Sequence, residues 1–332
     1  MLDSKAHHIL GQSMAVGERI NFSQYMSLAL YHPNKGYYMR HGSVFGQQGD
    51  FVTAPLLSPI LSKAIVAWLC EQGVDDVLEL GPGSGVLANQ ILEQMPGLRR
   101  YCLCDMNPGP SKDLVGDPRA VWVDQVPQGF SGAVIANEWL DALPFHRYCW
   151  DIDQGLQEFL VKRERAGYQL VLEPAVVTPE IKALIEQFSP SWPSPYVFEY
   201  ASGYGQALGQ MTRSEGPWLL LDYGYEREEY YHPDRMLGTL LCIENHQVVP
   251  FSLAKTGVQD LTCAVEWTLV EECAAKAGYQ LAQFGTQADF IMAHLGSLPL
   301  TARDKKLLLP FEMGQYIKVA AFDPKCSAQT ST

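Results

Sequence analysis

The segment Glu79-Leu80-Gly81-Pro82-Gly83-Ser84-Gly85 carries the most specific chemistry in the 332-residue chain. An apolar run, VDDVLEL, precedes it, and a segment of helical periodicity, GVLANQILEQM, follows. Glycines at such a junction let the backbone turn tightly and let a ligand come close. A dinucleotide fingerprint reads G-x-G-x-x-G and would put its third glycine at position 86, where Val86 stands. The spacing present is G-x-G-x-G with an acid, Glu79, two residues before the first glycine. That is the form typical of S-adenosylmethionine (SAM) sites. Charge points the same way. A pyrophosphate wants N–H donors and no nearby carboxylate, whereas SAM brings an ammonium, a sulfonium and one carboxylate. Asp105 lies 20 residues after Gly85. There an acid can bind the ribose hydroxyls of either cofactor, so Asp105 supports nucleotide binding without choosing between them.

Other apolar runs also end in polar or acidic groups: Asp105, Asp124, Asn137-Glu138 and Asp222. In a doubly wound sheet such ends share one rim, where ligands bind. Acids also follow strands simply because they cap helices and favour turns. The second motif is Asn137-Glu138-Trp139-Leu140-Asp141-Ala142-Leu143-Pro144. A polar pair, an aromatic and a further acid suit the methyl-accepting side, which must stand in line with the sulfonium. If the acceptor is a guanidinium, it is charged at neutral pH, and carboxylates such as Glu138 and Asp141 can grip it bidentately. Asp141 equally fits an acid in the first turn of a helix. The turn Gly49-Asp50-Phe51-Val52-Thr53-Ala54-Pro55 would fold over the cofactor as a lid or serve as a capped helix entry. Tyr230-Tyr231-His232-Pro233 and Gly238-Thr239-Leu240 are candidate lining for an acceptor pocket. The chain has no G-x-S-x-G and no H-E-x-x-H.

VDDVLELG, RRYCLCD, AVWVD and GAVIANE are apolar strands alternating with helical segments, which indicates a parallel sheet with crossover helices, buried on both faces. Before them, residues 1–75 are mostly helical with a glycine-rich middle. Helices are expected over 22–31 and over 59–71, the second with Ser58 as N-cap and Pro59 at its first position. Residues 146–215 break the rhythm with antiparallel strands around turns at 153–155 and 165–167, then a helix at 179–188. The parallel rhythm resumes at GPWLLLDYG. Residues 226–262 are loop-rich, 265–277 is a helix closed by Gly278, and YIKVAAFD is a last strand.

Composition sets outer limits. Hydrophobic residues make up 47%, enough for a sizeable core. The net charge of −13 disfavours extended contact with nucleic acid or anionic lipid. No apolar run reaches the roughly 18 residues of a membrane span, and no leader peptide is evident, so the expected location is the cytoplasm. Cys102 and Cys104 form C-x-C without a second Cys or His pair at zinc-like spacing, so no metal is expected.

Taken together, these residues resemble the MidA-like SAM-dependent methyltransferases, a family related to the mitochondrial arginine methyltransferase that assists assembly of respiratory complex I. The resemblance runs over 19–322 and rests on INFSQYMSLALYHPNKGYY, GDFVTAP, ELGPGSG, NEWLDALP, LLLDYGYEREEYYHPDRMLGTL, QDLT and MGQYIKV. It implies an α/β, Rossmann-like class I SAM-dependent methyltransferase core with an N-terminal helical cap and an inserted α+β region. The expected division is a helical cap and lid at 1–75, a core at 76–145 and 216–322, an insertion at 146–215 and a tail at 323–332. SAM would be held by Glu79, Gly81, Gly83, Gly85, Asp105, Asp124 and Asp50, and the acceptor handled by Asn137, Glu138 and Asp141. For the mitochondrial relative the resemblance implies symmetric dimethylation of an arginine in a complex I subunit, so a protein substrate is expected.

The chain departs from the family pattern at several positions. Leu56 stands where the family has Glu, Ala264 where it has His, and Gln315 where it has Glu. Cys242-Ile243-Glu244-Asn245 replaces the usual basic residues after GTL. These changes motivate a second reading, a SAM-binding assembly factor without turnover. A small-molecule methyltransferase and a nicotinamide-dependent oxidoreductase are further alternatives, the latter disfavoured by Val86.

Overall fold

The computed structural model describes residues 4–33, 35–39, 54–106, 115–245, 247–296, 299–309 and 313–325. Asp50 and the turn up to Thr53 lie outside the described residues. The chain forms two compact units, one of 45–141, 204–224 and 267–332, the other of 1–44, 142–203 and 225–266.

The first unit holds the sheet. Its strands are β1 (Asp76–Leu80), β2 (Arg100–Cys104), β3 (Ala120–Val123), β4 (Ala133–Asn137), β5 (Trp218–Tyr225), β6 (Tyr279–Thr286) and β7 (Ile317–Pro324). Their spatial order is β3-β2-β1-β4-β5-β7-β6. β1 to β5 run parallel, while β7 is antiparallel to both β5 and β6. The order reverses between β1 and β4, which opens a crevice beyond their carboxyl ends. All of β1 is buried, as are Ala133 to Ala136 of β4, which accounts for their near-continuous apolar runs.

One face of the sheet packs against α1 (Ile60–Gln72), α2 (Val86–Gln94) and α5 (Gln287–Leu295). Ile65, Leu69, Leu87, Ile91, Phe290 and Ile291 join Val77, Leu103, Ile135 and Leu219 in one buried cluster. α3 (Tyr204–Met211) faces α4 (Trp267–Lys276), with Gly205 turned toward Cys273. Two helix boundaries differ from expectation. α1 starts one residue later than expected, with Pro59 at the N-cap, although Ser58 Oγ still accepts from the Ile60 N–H at 3.1 Å. α4 begins at Trp267 because Val265 and Glu266 are extended, where a β-branched residue is at ease.

The far end of α2 is tied by Arg119. Its guanidinium donates to the carbonyls of Leu92 and Met95, each at 2.6 Å, and forks onto both oxygens of Asp117. These carbonyls end the helix and have no partner within it, so a cation there meets both their hydrogen-bond need and the helix dipole.

The second unit is mainly antiparallel. Strands Arg19–Asn21, His146–Asp151, Gly155–Glu164, Gly167–Pro174 and Tyr196–Tyr200 share one sheet, with tight turns where the sequence placed them. Helix Phe22–Tyr31 opens with a capping box between Asn21 and Gln24, and helix Pro179–Phe188 with Thr178 as N-cap. The stretch 226–262 is more ordered than expected. It contains a three-stranded sheet of Leu241–Glu244, Gln247–Val248 and Asp260–Thr262. The Gly238-Thr239 turn wraps the buried Glu199 carboxylate, which accepts from the Thr239 N–H at 2.6 Å and from Arg147 Nε at 3.0 Å. A methyl group on Gly238 would stand 2.5 Å from Glu199 Oε1, so packing alone accounts for that glycine.

Candidate active site at the carboxyl ends of β1 to β5

The glycine loop leaves β1 with all three glycines in the left-handed region, at φ 62° for Gly81, 53° for Gly83 and 71° for Gly85. A side chain at any of them would strain the backbone. The Gly81 N–H donates to the Cys104 carbonyl at 2.9 Å, which fastens the loop to the end of β2. The Gly85 N–H donates to the Pro82 carbonyl at 2.8 Å, and Gly85 opens α2. Space is as tight as conformation here. A methyl on Gly81 would lie 2.8 Å from Cδ1 of Trp139, in the loop after β4.

Glu79 is buried within β1, not displayed on the rim, and its Oε2 accepts from the Tyr101 hydroxyl at 2.8 Å. Burial pushes its carboxyl up to about 7; the Tyr101 bond opposes this, and the charge of Asp105 adds to it. Asp105, partly buried, directly follows β2, and Asp124, exposed, directly follows β3. Both act on Cys104, whose thiol burial pushes to about 11. Tyr101 was not singled out from the sequence. The available signal was a buried Glu in β1 and a single hydroxyl in the next strand.

Asn137 ends β4, and Glu138 follows it at φ 50°, a left-handed conformation unusual for a side chain of this size. Its N–H donates to the Leu221 carbonyl of β5 at 2.8 Å. Burial pushes the Glu138 carboxyl up to about 7, opposed by hydrogen bonds from the Asn137 side chain and the Ala54 backbone. Asp141 is buried three residues on.

Asp222 departs from the reading of a rim acid. It is fully buried in β5, and Oδ2 accepts from the backbone N–H groups of Leu140 at 2.9 Å and Asp141 at 3.1 Å. Its Oδ1 accepts from the Tyr223 N–H at 2.9 Å. A buried carboxylate with three backbone donors is a brace for the neighbouring loop. Burial, with the Glu138 charge added, holds it well above the usual carboxylate range.

Of the positions that depart from the family pattern, Leu56 is partly buried in the turn Ala54–Leu57, Ala264 is buried in the second unit, and Gln315 is exposed. Among the described residues there is no cluster of His, Cys, Asp or Glu able to hold a metal ion. No described helix is long and apolar enough to cross a membrane.

Cradle and acids together fit SAM. Three left-handed glycines admit close backbone approach, and the carboxylates beside them suit a cationic ligand better than a pyrophosphate. A sheet in this order with this loop is the fold of the class I SAM-dependent methyltransferases. Residues 60–285 match the family described as putative S-adenosyl-L-methionine-dependent methyltransferase, and the chain belongs to it.

Relatives and solved structures agree with that placement. The Drosophila melanogaster protein arginine methyltransferase NDUFAF7 homolog, mitochondrial, is 26% identical over 307 residues, covering 78% of this chain and 67% of that protein. The Xenopus tropicalis protein arginine methyltransferase NDUFAF7, mitochondrial, is 26% identical over 338 residues, covering 86% and 74%. A crystal structure of a Burkholderia thailandensis protein bound to S-adenosyl-homocysteine superposes with a TM-score of 0.88 at 28% identity, over 96% of this chain and 92% of that one. A native crystal structure from the same organism gives 0.85 at 28% identity, over 96% and 91%.

Proposed function

We propose that the protein methylates an arginine side chain of a protein substrate. The observation that carries this reading is a pair of carboxyls level with each other on adjacent strands, Glu138 just after β4 and Asp222 buried within β5. Glu138 and Asp222 are both held above the usual carboxylate range, by burial first, and the charge of Glu138 adds to the shift of Asp222. A planar cation arriving beside Glu138 relieves that repulsion, and a guanidinium can accept two carboxylate contacts in one plane.

In this reading Glu79, Gly81, Gly83, Gly85, Asp105 and Asp124 hold SAM, which supplies a methyl group on a cationic sulfur. Asp50, outside the described residues, belongs to the same set. Asn137 donates to Glu138 Oε1 at 3.4 Å and steers it. Glu138 and Asp141 grip the guanidinium and turn one nitrogen toward the cofactor. The methylated nitrogen must lose a proton, and the Glu138 carboxylate, with its midpoint at about 7, is matched to accept it near neutral pH. The names of the curated relatives support arginine over a small molecule. The resemblance to the complex I assembly methyltransferase makes a subunit of that complex the first acceptor to try.

A second reading, a SAM-binding assembly factor without turnover, is favoured by Leu56 and Gln315, which stand where the family has acids. Two measurements separate the readings. Calorimetric titration with SAM, with NAD as control, reports the cofactor. Incubation with methyl-labelled SAM and candidate acceptors, followed by acid hydrolysis, reports the product. Label in methylarginine supports the proposal. SAM binding without transfer to any acceptor supports the assembly factor. A folded protein that ignores SAM sinks both.

A further inference from the structure

The Arg147-Glu199-Thr239 cluster and the Arg119 clamp are accounted for by packing and helix termination. The acid in β5 stands apart: its carboxylate takes three backbone N–H groups that an apolar residue there would leave without this acceptor. We propose that Asp222 is a positioning residue of the acceptor side: its carboxylate fixes the backbone of Leu140 and Asp141 and so sets where the Glu138 and Asp141 side chains stand. The inference rests on the reading of Glu138 and Asp141 as acceptor residues.

The geometry is specific. Asp222 spans two strands' worth of structure with one side chain, since Oδ2 takes two successive N–H groups of the loop after β4 and Oδ1 takes the next N–H of its own strand. Leu221, the residue before it, pairs with Asn137 in register and also receives the Glu138 N–H. Residues 137–141 are therefore held at both ends by adjacent positions of β5. The charged and titratable groups around Asp222 are Glu138 and Asp141 from the loop, Tyr223 on its own strand, and Lys318, which stands opposite in register on β7. Glu138 takes hydrogen bonds from the Asn137 side chain and the Ala54 N–H, and its charge acts on Asp222. A brace of this kind couples the two carboxyls, so the ionisation of one must register in the other.

The test uses the full chain with carbon-labelled carboxyl groups, read by NMR, and methylguanidinium as the acceptor probe in the presence of S-adenosyl-homocysteine. In Asp222→Asn the amide oxygen can still take the loop N–H groups in place of Oδ2, but the amide NH2 cannot accept from Tyr223 and the charge is gone. The Glu138 midpoint is expected to hold, because Asp222 is still protonated when Glu138 ionises, and methylguanidinium binding to weaken. In Asp222→Ala the brace is gone, and methylguanidinium binding is expected to weaken while S-adenosyl-homocysteine binding is retained. Should both Asp222 variants fail to fold, Glu138→Gln keeps every backbone bond of Asp222 and must lower the Asp222 midpoint. An unchanged Asp222 midpoint in Glu138→Gln together with unchanged probe binding in Asp222→Ala overturns the proposal, as does loss of S-adenosyl-homocysteine binding from folded Asp222→Ala. If the wild type ignores methylguanidinium while the carboxyls titrate as a coupled pair, the arginine reading fails and the coupling of the brace stands.

Discussion

The chain turns left-handed after β1 and again after β4, by different means. After β1 the conformation is carried by Gly81, Gly83 and Gly85, which adopt it without cost from a side chain. After β4 it is forced on Glu138, at about 1–2 kcal/mol for a residue with a Cβ. A glycine at 138 would remove the strain and also the carboxylate. The first loop thus gives up side chains to let backbone approach a ligand. The second keeps a side chain and is held in place by β5 through the Leu221 carbonyl and Asp222. One rim is permissive by composition and the other is imposed by tertiary contact.

The largest effect that would test this contrast is on the permissive side. Gly83→Val should cut SAM affinity by ~100-fold or more, through both lost approach and left-handed strain, with the fold retained by circular dichroism. Unchanged calorimetric affinity would mean the glycines serve only the turn. On the imposed side, Glu138→Gln should lower methyl transfer by about 10²–10⁴ with SAM affinity within a factor of a few, measured as kcat on an identified acceptor.

Tyr101→Phe should be milder. It removes one hydrogen bond to a carboxylate, worth about 1.5–3 kcal/mol, and lifts the Glu79 midpoint above its present value of about 7. With Glu79 in the proposed cofactor set, cationic SAM favours its ionised form, so wild-type affinity should rise as pH increases through 7, and in the variant that rise should shift to higher pH. A pH-independent affinity would remove Glu79 from the cofactor site.

The smallest effect expected is on stability. Glu79, Glu138 and Asp222 all have folded midpoints above the unfolded carboxylate value, so the folded state binds more protons between about pH 4.5 and 7. The stability they contribute is present below the unfolded value and lost as pH rises through the folded ones. Cofactor-free protein should therefore melt lower at pH 8 than at pH 5.5, and Glu138→Gly should flatten that slope while gaining about 1 kcal/mol from relieved strain. Equal slopes in the two proteins would show that Glu138 ionises as it does in the unfolded chain.

The sheet rhythm was legible because each strand is short, apolar and bounded by acids or glycine, and helix Phe22–Tyr31 because Asn21 and Gln24 form a capping box. The glycine loop was legible because left-handed turns leave a residue-type signature. Asp222 was misread because its partners are backbone N–H groups 81 and 82 positions away, which leave no trace in local spacing. Tyr101 was missed for the same reason: its bond to Glu79 crosses from one strand to the next. The antiparallel return of β7 between β5 and β6 was likewise silent, since strand direction is set by connection and not by composition.

The Trp139 ring stands so close to Gly81 that an added methyl group would lie 2.8 Å from its Cδ1, so one indole links the two loops. Anything that shifts that ring on one side changes the walls of the other, and the change in affinity must be equal in both directions. With the acceptor at the second loop, as proposed, its binding and that of the cofactor are coupled through that ring, which is one of seven tryptophans in the chain.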